Sequence, residues 1–380
     1  MTPSPAAPRA ASPWGVYVHA PWCRIRCPYC AFHVLPDRDM EAEAWRDAVL
    51  DERARRAPAL PGAPHTLYLG GGTPSRLPPA LLAELIRALA HPSTVEITVE
   101  ANPEDLSDAW LDAMIAAGVT RVSLGVQTLN LAHAARLARL AGARAAARAA
   151  ALLRGAGLQS WSADLMFALP RQTMADLVAD LDALLALGPP HLSLYGLTYE
   201  PDTAFARAMN QLPPPPDDLW RDMYDHLVTR LEAEGLHRYE VSNFARPGHA
   251  SAHNQGYWRD QPYLGLGPSA SGYLPDGTRY TNASWAIWRQ NPVASAEVEP
   301  PDAERHAADL LISGLRGIEG LYITQLHATG FTVPDTARRP LEAGGLLRPD
   351  PTRLQLTPEG VAVADGLTAH LVKHLCPLSC

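Results

Sequence analysis

Three of the five cysteines, Cys23, Cys27 and Cys30, fall within eight residues in the spacing C-x3-C-x2-C. Three thiolates on one short loop can each take one iron of a [4Fe–4S] cubane, which normally has four cysteine ligands. The fourth iron then stays open and can chelate the amino and carboxylate groups of a small ligand. The alternative is structural zinc, with His33 or the distant Cys376 and Cys380 completing the set. Zinc usually prefers paired C-x2-C knuckles to one asymmetric triplet. An odd cysteine count argues against a secreted disulfide framework.

The elements that must position this loop are legible as a regular alternation. Strands are expected at 15–19, 65–69, 95–99, 121–126, 160–167 and 191–197. Helices are expected at about 41–57, 79–89, 106–117, 132–156 and 175–187. Such alternation implies βαβ units around a parallel sheet. Six units predict an α/β fold, a partial (β/α)6 barrel whose active face lies at the C-terminal ends of its strands. The chemistry-bearing positions are expected at those ends: the cysteine loop, Gly70-Gly71-Gly72-Thr73-Pro74, Glu100, Gln127 and Asp164.

Composition sets the limits. Of 380 residues, 47% are hydrophobic and 19% charged, enough apolar material for a sizeable core. The net charge of −8 argues against a nucleic-acid partner, which would favour a basic surface. No apolar run is long enough for a membrane span. Residues 1–13, rich in Pro and Ala without an apolar stretch, read as a disordered tail rather than a secretory signal. The barrel is expected over 14–212, followed by a connector and loop-rich segment at 213–298 that opens on Pro213 to Pro216. Residues 299–380 read as a small, mostly helical, winged-helix-like domain with a hairpin at 346–356. Cys376 and Cys380 read as tail residues.

Several motifs together resemble a known family. The cysteine triplet, with Tyr29 before its last member, resembles the signature of the radical S-adenosylmethionine (SAM) superfamily, and the glycine run resembles that superfamily's SAM-binding motif. Tyr17-Val18-His19-Ala20-Pro21-Trp22-Cys23, Arg121-Val122-Ser123-Leu124-Gly125-Val126-Gln127, Asp164-Leu165-Met166-Phe167-Ala168-Leu169-Pro170 and Tyr239-Glu240-Val241-Ser242-Asn243-Phe244 resemble the oxygen-independent coproporphyrinogen III oxidase-like family. The likeness covers roughly 14–320. Three features point to the HemW-type haem-chaperone branch rather than the dehydrogenase branch. Phe32 stands where the enzyme branch carries a fourth cysteine. Only 22 residues precede Cys23. The run His253-Asn254-Gln255-Gly256-Tyr257-Trp258 matches the H-N-x-x-Y-W motif associated with haem.

The resemblance implies cofactors and roles. Cys23, Cys27 and Cys30 would hold the cluster; Tyr17, Tyr29, Gly71, Gly72, Thr73, Glu100, Gln127, Arg139 and Asp164 would meet SAM, with Arg139 on its carboxylate and Asp164 on ribose hydroxyls. Histidine is a common axial ligand to haem iron, so His253 would ligate haem with Tyr257 and Trp258 flanking it. His249 and His237 are rival ligands, and read from the residues alone the segment is also a structural histidine with two packed aromatics. The implied function is a cytoplasmic haem chaperone, a monomer or homodimer, delivering haem to apo-haemoproteins such as respiratory enzymes, with only peripheral contact at the inner membrane. The alternative is radical oxidative decarboxylation of coproporphyrinogen III to protoporphyrinogen IX. Two positions depart from the family pattern: Ala141 and Ser271 stand where histidines are usual.

Overall fold

The computed structural model describes residues 13–139 and 142–378. The expected tail therefore lies, but for Pro13, outside the described residues, as does Cys380. Six parallel strands run in chain order: β1 Gly15–Ala20, β2 Thr66–Gly71, β3 Glu96–Ala101, β4 Arg121–Gln127, β5 Ser160–Phe167 and β6 His191–Gly196. Each pairs with the next in parallel register. The intervening helices are α1 Ala42–Arg56, α2 Pro79–Leu89, α3 Asp108–Ala116, α4 Leu131–Arg136, α5 Ala143–Gly155 and α6 Met174–Ala186.

Strand side chains alternate between two faces, and the alternation sorts them by polarity. Val18, Leu67, Val99, Val122, Ala163 and Leu192 are fully buried in the core beneath the helices. The residues between them, Tyr68, Glu100, Ser123, Ser162, Asp164 and Ser193, line the lumen. Closed barrels of this kind usually fill their interior with branched apolar side chains. Here the interior is polar.

The segment after β6 is more regular than its sequence suggests. It supplies α7 Asp217–Ala233, β7 His237–Arg238, β8 Asn243–Ala245, α8 Ala252–Trp258, β9 Tyr263–Leu266, β10 Ser271–Tyr273, β11 Arg279–Thr281 and β12 Glu297–Glu299. Strand β9 joins the far side of β1 in parallel, Gly15 opposite Tyr263, as a seventh parallel strand. The 12-stranded sheet runs β12-β11-β10-β9-β1-β2-β3-β4-β5-β6-β8-β7, so antiparallel strands flank both ends and the barrel stays open. Glycine is required at 265, where a Cβ would sit 1.8 Å from the Ser271 carbonyl oxygen of the returning strand.

The C-terminal region is mostly helical, with α9 Ala303–Gly314, α10 Ile323–His327, α11 Asp335–Ala343 and α12 Ala364–Lys373. Helix α9 packs on both α12 and α8. The hairpin expected at 346–356 reduces to a single bridge between Leu347 and Leu356. Arg353–Leu354 pairs instead with Leu321–Tyr322. Cys376, read from sequence as tail, lies in a two-residue strand opposite Phe331–Thr332. Among the described residues no helix is long and apolar enough to cross a membrane.

Candidate cofactor site at the barrel mouth

The cysteine loop follows β1 and lies over the C-terminal ends of the strands. Cys23, Cys27 and Cys30 are free and half-buried. A turn holds the last two together, with the Cys30 N–H donating to the Cys27 carbonyl at 3.1 Å. Thr73, from the glycine loop after β2, places its hydroxyl 3.4 Å from the Cys23 sulfur. Burial pushes the Cys23 thiol up to about 11, and the neighbouring Cys27 and Cys30 push the same way. Among the described residues no three His, Cys, Asp or Glu side chains converge on one position suited to a single metal ion. His33, offered from sequence as a fourth zinc ligand, accepts the Trp285 N–H on Nε2 at 3.4 Å. Three free thiols on one loop, close enough to feel each other's charge, are the donor set that a cubane with one open iron requires.

The glycine loop is bare for a steric reason. Gly71 has φ 109°, and a Cβ there would lie 2.4 Å from the imidazole Nδ1 of buried His19. At Gly72 a Cβ would meet the backbone of Pro21 and Trp22 at 2.8 Å. Without a Cβ at either position the loop packs tightly on the end of β1, the Gly72 N–H donating to the Ala20 carbonyl at 2.8 Å. The Gly71 N–H donates to Glu100 Oε2 at 3.3 Å, and the Tyr68 hydroxyl donates to Glu100 Oε1 at 2.8 Å. Burial nevertheless pushes Glu100 up to about 7.

Arg139 reaches the mouth because the helix expected at 132–156 is broken. Helix α4 ends at Arg136 and α5 starts at Ala143, and Ala138 takes a left-handed φ of 53°. That turn sends the Arg139 guanidinium to Asn102 Oδ1 at 2.6 Å and to the Gly125 carbonyl, with Nη1 4.0 Å from the Cys27 sulfur. Gln127 ends β4 in the left-handed region, φ 67°, strain that a β-strand end does not itself require. Asp164 differs from its expected place. It lies inside β5, opposite Ser193, and so points into the lumen below the rim. Burial pushes its carboxyl up to about 6, and its Oδ1 has no hydrogen-bond partner among the described residues. Tyr29 packs against Phe205, ring centroids 6.4 Å apart, at the edge of a buried cluster with Leu137, Met166 and Leu169. Tyr17 reaches inward, its hydroxyl 3.2 Å from His19 Nδ1.

The structure separates the H-N-x-x-Y-W segment from this mouth. It closes the opposite, N-terminal end of the barrel. Glu96, at the start of β3, accepts from the Ser251 hydroxyl and from the N–H groups of Ala252 and His253, all at about 3.0 Å, fixing the start of α8. The His253 ring is buried, with Nδ1 hydrogen-bonded to Thr66 at 2.8 Å and Nε2 to the Tyr257 hydroxyl at 2.8 Å. It stacks on Tyr68 with centroids 5.1 Å apart. Burial lowers its pKa to about 3, so it is neutral. In this arrangement neither nitrogen is free to meet a metal. Trp258 lies under Arg316, 5.5 Å from its ring, at the junction with the C-terminal helices. His237 is exposed beside Glu232, and His249 bonds Ser160.

Residues 17–184 match the radical SAM superfamily. The Heme chaperone HemW of Mycobacterium tuberculosis is 35% identical over 384 aligned positions, covering 96% of both chains. The chain belongs to the HemW family, within the radical SAM superfamily. The Heme chaperone HemW of Escherichia coli is 40% identical over 70% of this chain and 72% of its own. Among solved structures, coproporphyrinogen III oxidase (HemN) of Escherichia coli matches with a TM-score of 0.79 at 22% identity, covering 94% of this chain and 90% of that one. That likeness is one of fold.

Within this member of the HemW family the geometry adds residues that sequence reasoning passed over. Asn102 orients Arg139, and Tyr68 orients Glu100. The available signal was positional: Asn102 follows Glu100 by two residues at a strand end, and Tyr68 stands between two leucines on the opposite face of its strand.

Proposed function

We propose that this chain is a haem chaperone that carries a [4Fe–4S] cluster and SAM and passes haem to apo-haemoproteins. The end-to-end likeness to a HemW heme chaperone, 35% identity over 96% of both chains, carries the reading. In it, Cys23, Cys27 and Cys30 hold the cluster, which when bound supplies one iron without a cysteine ligand, open to the amino and carboxylate groups of SAM.

The chain's own residues prepare the pocket beside it. Gly71 and Gly72 let their loop seat tightly against His19 and the Pro21–Trp22 backbone, forming the wall beside SAM's methionine end. Glu100, gripped by Tyr68, accepts a hydrogen bond from its amino group or ribose. Arg139 is held by Asn102 at the height of the cysteine turn and pairs with its carboxylate. Asp164, a carboxylate in the lumen, takes the ribose hydroxyls. Thr73, Gln127, Tyr17 and Tyr29 complete the walls.

Haem is proposed to engage His253, flanked by Tyr257 and Trp258. His253 must first give up Thr66 and Tyr257, so ligation by it is coupled to movement of α8 away from the barrel. His237, already exposed, is the competing ligand. Delivery to respiratory enzymes, a cytoplasmic site with peripheral membrane contact, and a monomeric or dimeric state belong to the same proposal. An anaerobic haem titration of cluster-loaded protein, with His253→Ala and His237→Ala beside it, tests it. Saturable binding supports the chaperone, and weakening in one variant names the ligand once urea midpoints exclude lost stability as its cause. No saturable binding, with protoporphyrinogen formed from coproporphyrinogen III, supports the dehydrogenase instead.

A further inference from the structure

Between the two ends of the barrel lies a small internal cavity of about 30 Å³, lined among others by Glu100, Arg121, Asp164 and His191. Arg121 is 3% exposed and His191 1%, so both are deeply buried. Arg121 Nη1 donates to the Ser160 hydroxyl at 3.0 Å and to the His249 carbonyl at 2.8 Å. His191 Nε2 bonds the Tyr239 hydroxyl at 2.8 Å. That leaves Arg121 Nη2, His191 Nδ1 and Asp164 Oδ1 buried with no partner among the described residues. Three orphan polar atoms around one cavity are a recurrent sign of bound solvent, because each would otherwise carry its full desolvation cost.

The ligand class follows from size and charge. The cavity exceeds the roughly 10–15 Å³ that one water needs, and its walls offer donors and acceptors in the number water uses. An anion would meet Asp164 and Glu100; a cation would meet Arg121. We propose that the cavity holds ordered water joining Arg121 and His191 to the Asp164 carboxylate, and that Arg121 is thereby a positioning residue linking the 249–258 segment at the floor to the mouth. The proposal rests on the reading that Asp164 meets SAM.

Asp164 is faced by Arg121 from β4, His191 and Tyr195 from β6, Glu100 from β3, Tyr68 from β2, and Arg139 from the break before α5. Arg139 and Arg121 favour the carboxylate, while burial opposes it. Burial and the charge of Arg121 keep His191 neutral. Loss of Arg121 therefore shifts Asp164 toward its protonated form, which turns one oxygen into a donor and gives up the charge that strengthens acceptance from ribose hydroxyls.

SAM affinity of cluster-loaded protein, measured by equilibrium dialysis between about pH 5 and pH 8, tests this for Arg121→Met, Arg121→Lys and Asp164→Asn. In Arg121→Met the pH below which affinity falls rises by about one unit, with roughly fivefold weaker binding near pH 6 and near-native binding near pH 8. Arg121→Lys restores part of that shift. A pH profile unmoved by Arg121→Met, while Asp164→Asn still weakens SAM, overturns the inference and leaves the role of Asp164 intact. Affinity and pH profile unchanged in Asp164→Asn overturn the role of Asp164, and the inference with it. Should Arg121→Met fail to fold, a high-resolution crystal structure of the unaltered protein decides: ordered water between Arg121 Nη2 and Asp164 Oδ1 supports the proposal, and a cavity without it overturns it.

Discussion

Arg139 holds its Nη1 4.0 Å from the Cys27 sulfur, and its other arm donates to Asn102 at 2.6 Å. One side chain thus ties the cysteine turn to the end of β3. Replacing it with alanine should weaken SAM binding at least tenfold, as loss of a charge-assisted contact does, while iron per chain stays near the native value. Arg139→Lys should recover only part of the affinity, because an ammonium cannot grip Asn102 and a carboxylate with one planar fork. Equilibrium dialysis and iron analysis on the same preparations check both. Equal SAM affinity in Arg139→Ala would remove Arg139 from the pocket.

Gly71→Ala should be among the most damaging single-methyl changes in the chain. Its φ of 109° is costly for any L side chain, and the new Cβ meets His19 at 2.4 Å. Gly157 has φ 68° but nothing within 4 Å of its Cβ, so Gly157→Ala isolates the backbone strain alone. The expected loss is about 1 kcal/mol at Gly157 and several times that at Gly71. Denaturant midpoints measure the difference; equal losses would contradict the steric argument.

Stability of the cluster-free chain should vary with pH in two opposing ways. Glu100 is raised from 4.5 to about 7 by burial, so the folded chain keeps a proton that the unfolded chain has lost. Stability from this source is greatest below the lower value and falls as pH rises through the window. Asp164, raised to about 6, slopes the same way. His253, lowered from 6.5 to about 3 by burial, slopes the other way and adds stability as pH rises across that range. Glu100→Gln should therefore flatten the decline toward neutral pH in urea titrations. A decline of native size in that variant would place its origin elsewhere.

His253→Ala should cost about 2–4 kcal/mol, since it removes a buried ring and strands the partners on Thr66 and Tyr257. His253→Gln, which can keep one of those hydrogen bonds, should lose less. Urea midpoints of the two variants give the comparison. Without it, weakened haem binding in His253→Ala could reflect a loosened floor rather than a lost ligand. A loss below about 1 kcal/mol would contradict the packing described for the floor.

The rim of the site was legible because it is written in contiguous motifs. Cys23, Cys27 and Cys30, Gly71 and Glu100 each sit where a strand ends and a loop begins, and strand ends follow from periodicity. The lumen was not legible in the same way. Arg121, Ser123, Ser162 and Ser193 reveal themselves only once register sets Arg121 beside Ser160 and Asp164 beside Ser193. Alternation of polar and apolar residues predicts two faces but not which polar residues share a cavity. Strand β9 was missed because four residues containing a glycine read as loop, and only pairing with β1 stabilises them. The placement of His253 was hidden for a further reason. Glu96 captures the start of α8 from 157 residues away, a contact no local pattern announces.

The central claim, that the chain handles haem, is tested most directly by titrating haem into anaerobic, cluster-loaded protein and following the Soret band. The account predicts saturation at about one haem per chain, followed by loss of that band to an apo-haemoprotein added in excess. Linear, unsaturating absorbance with no transfer would contradict it.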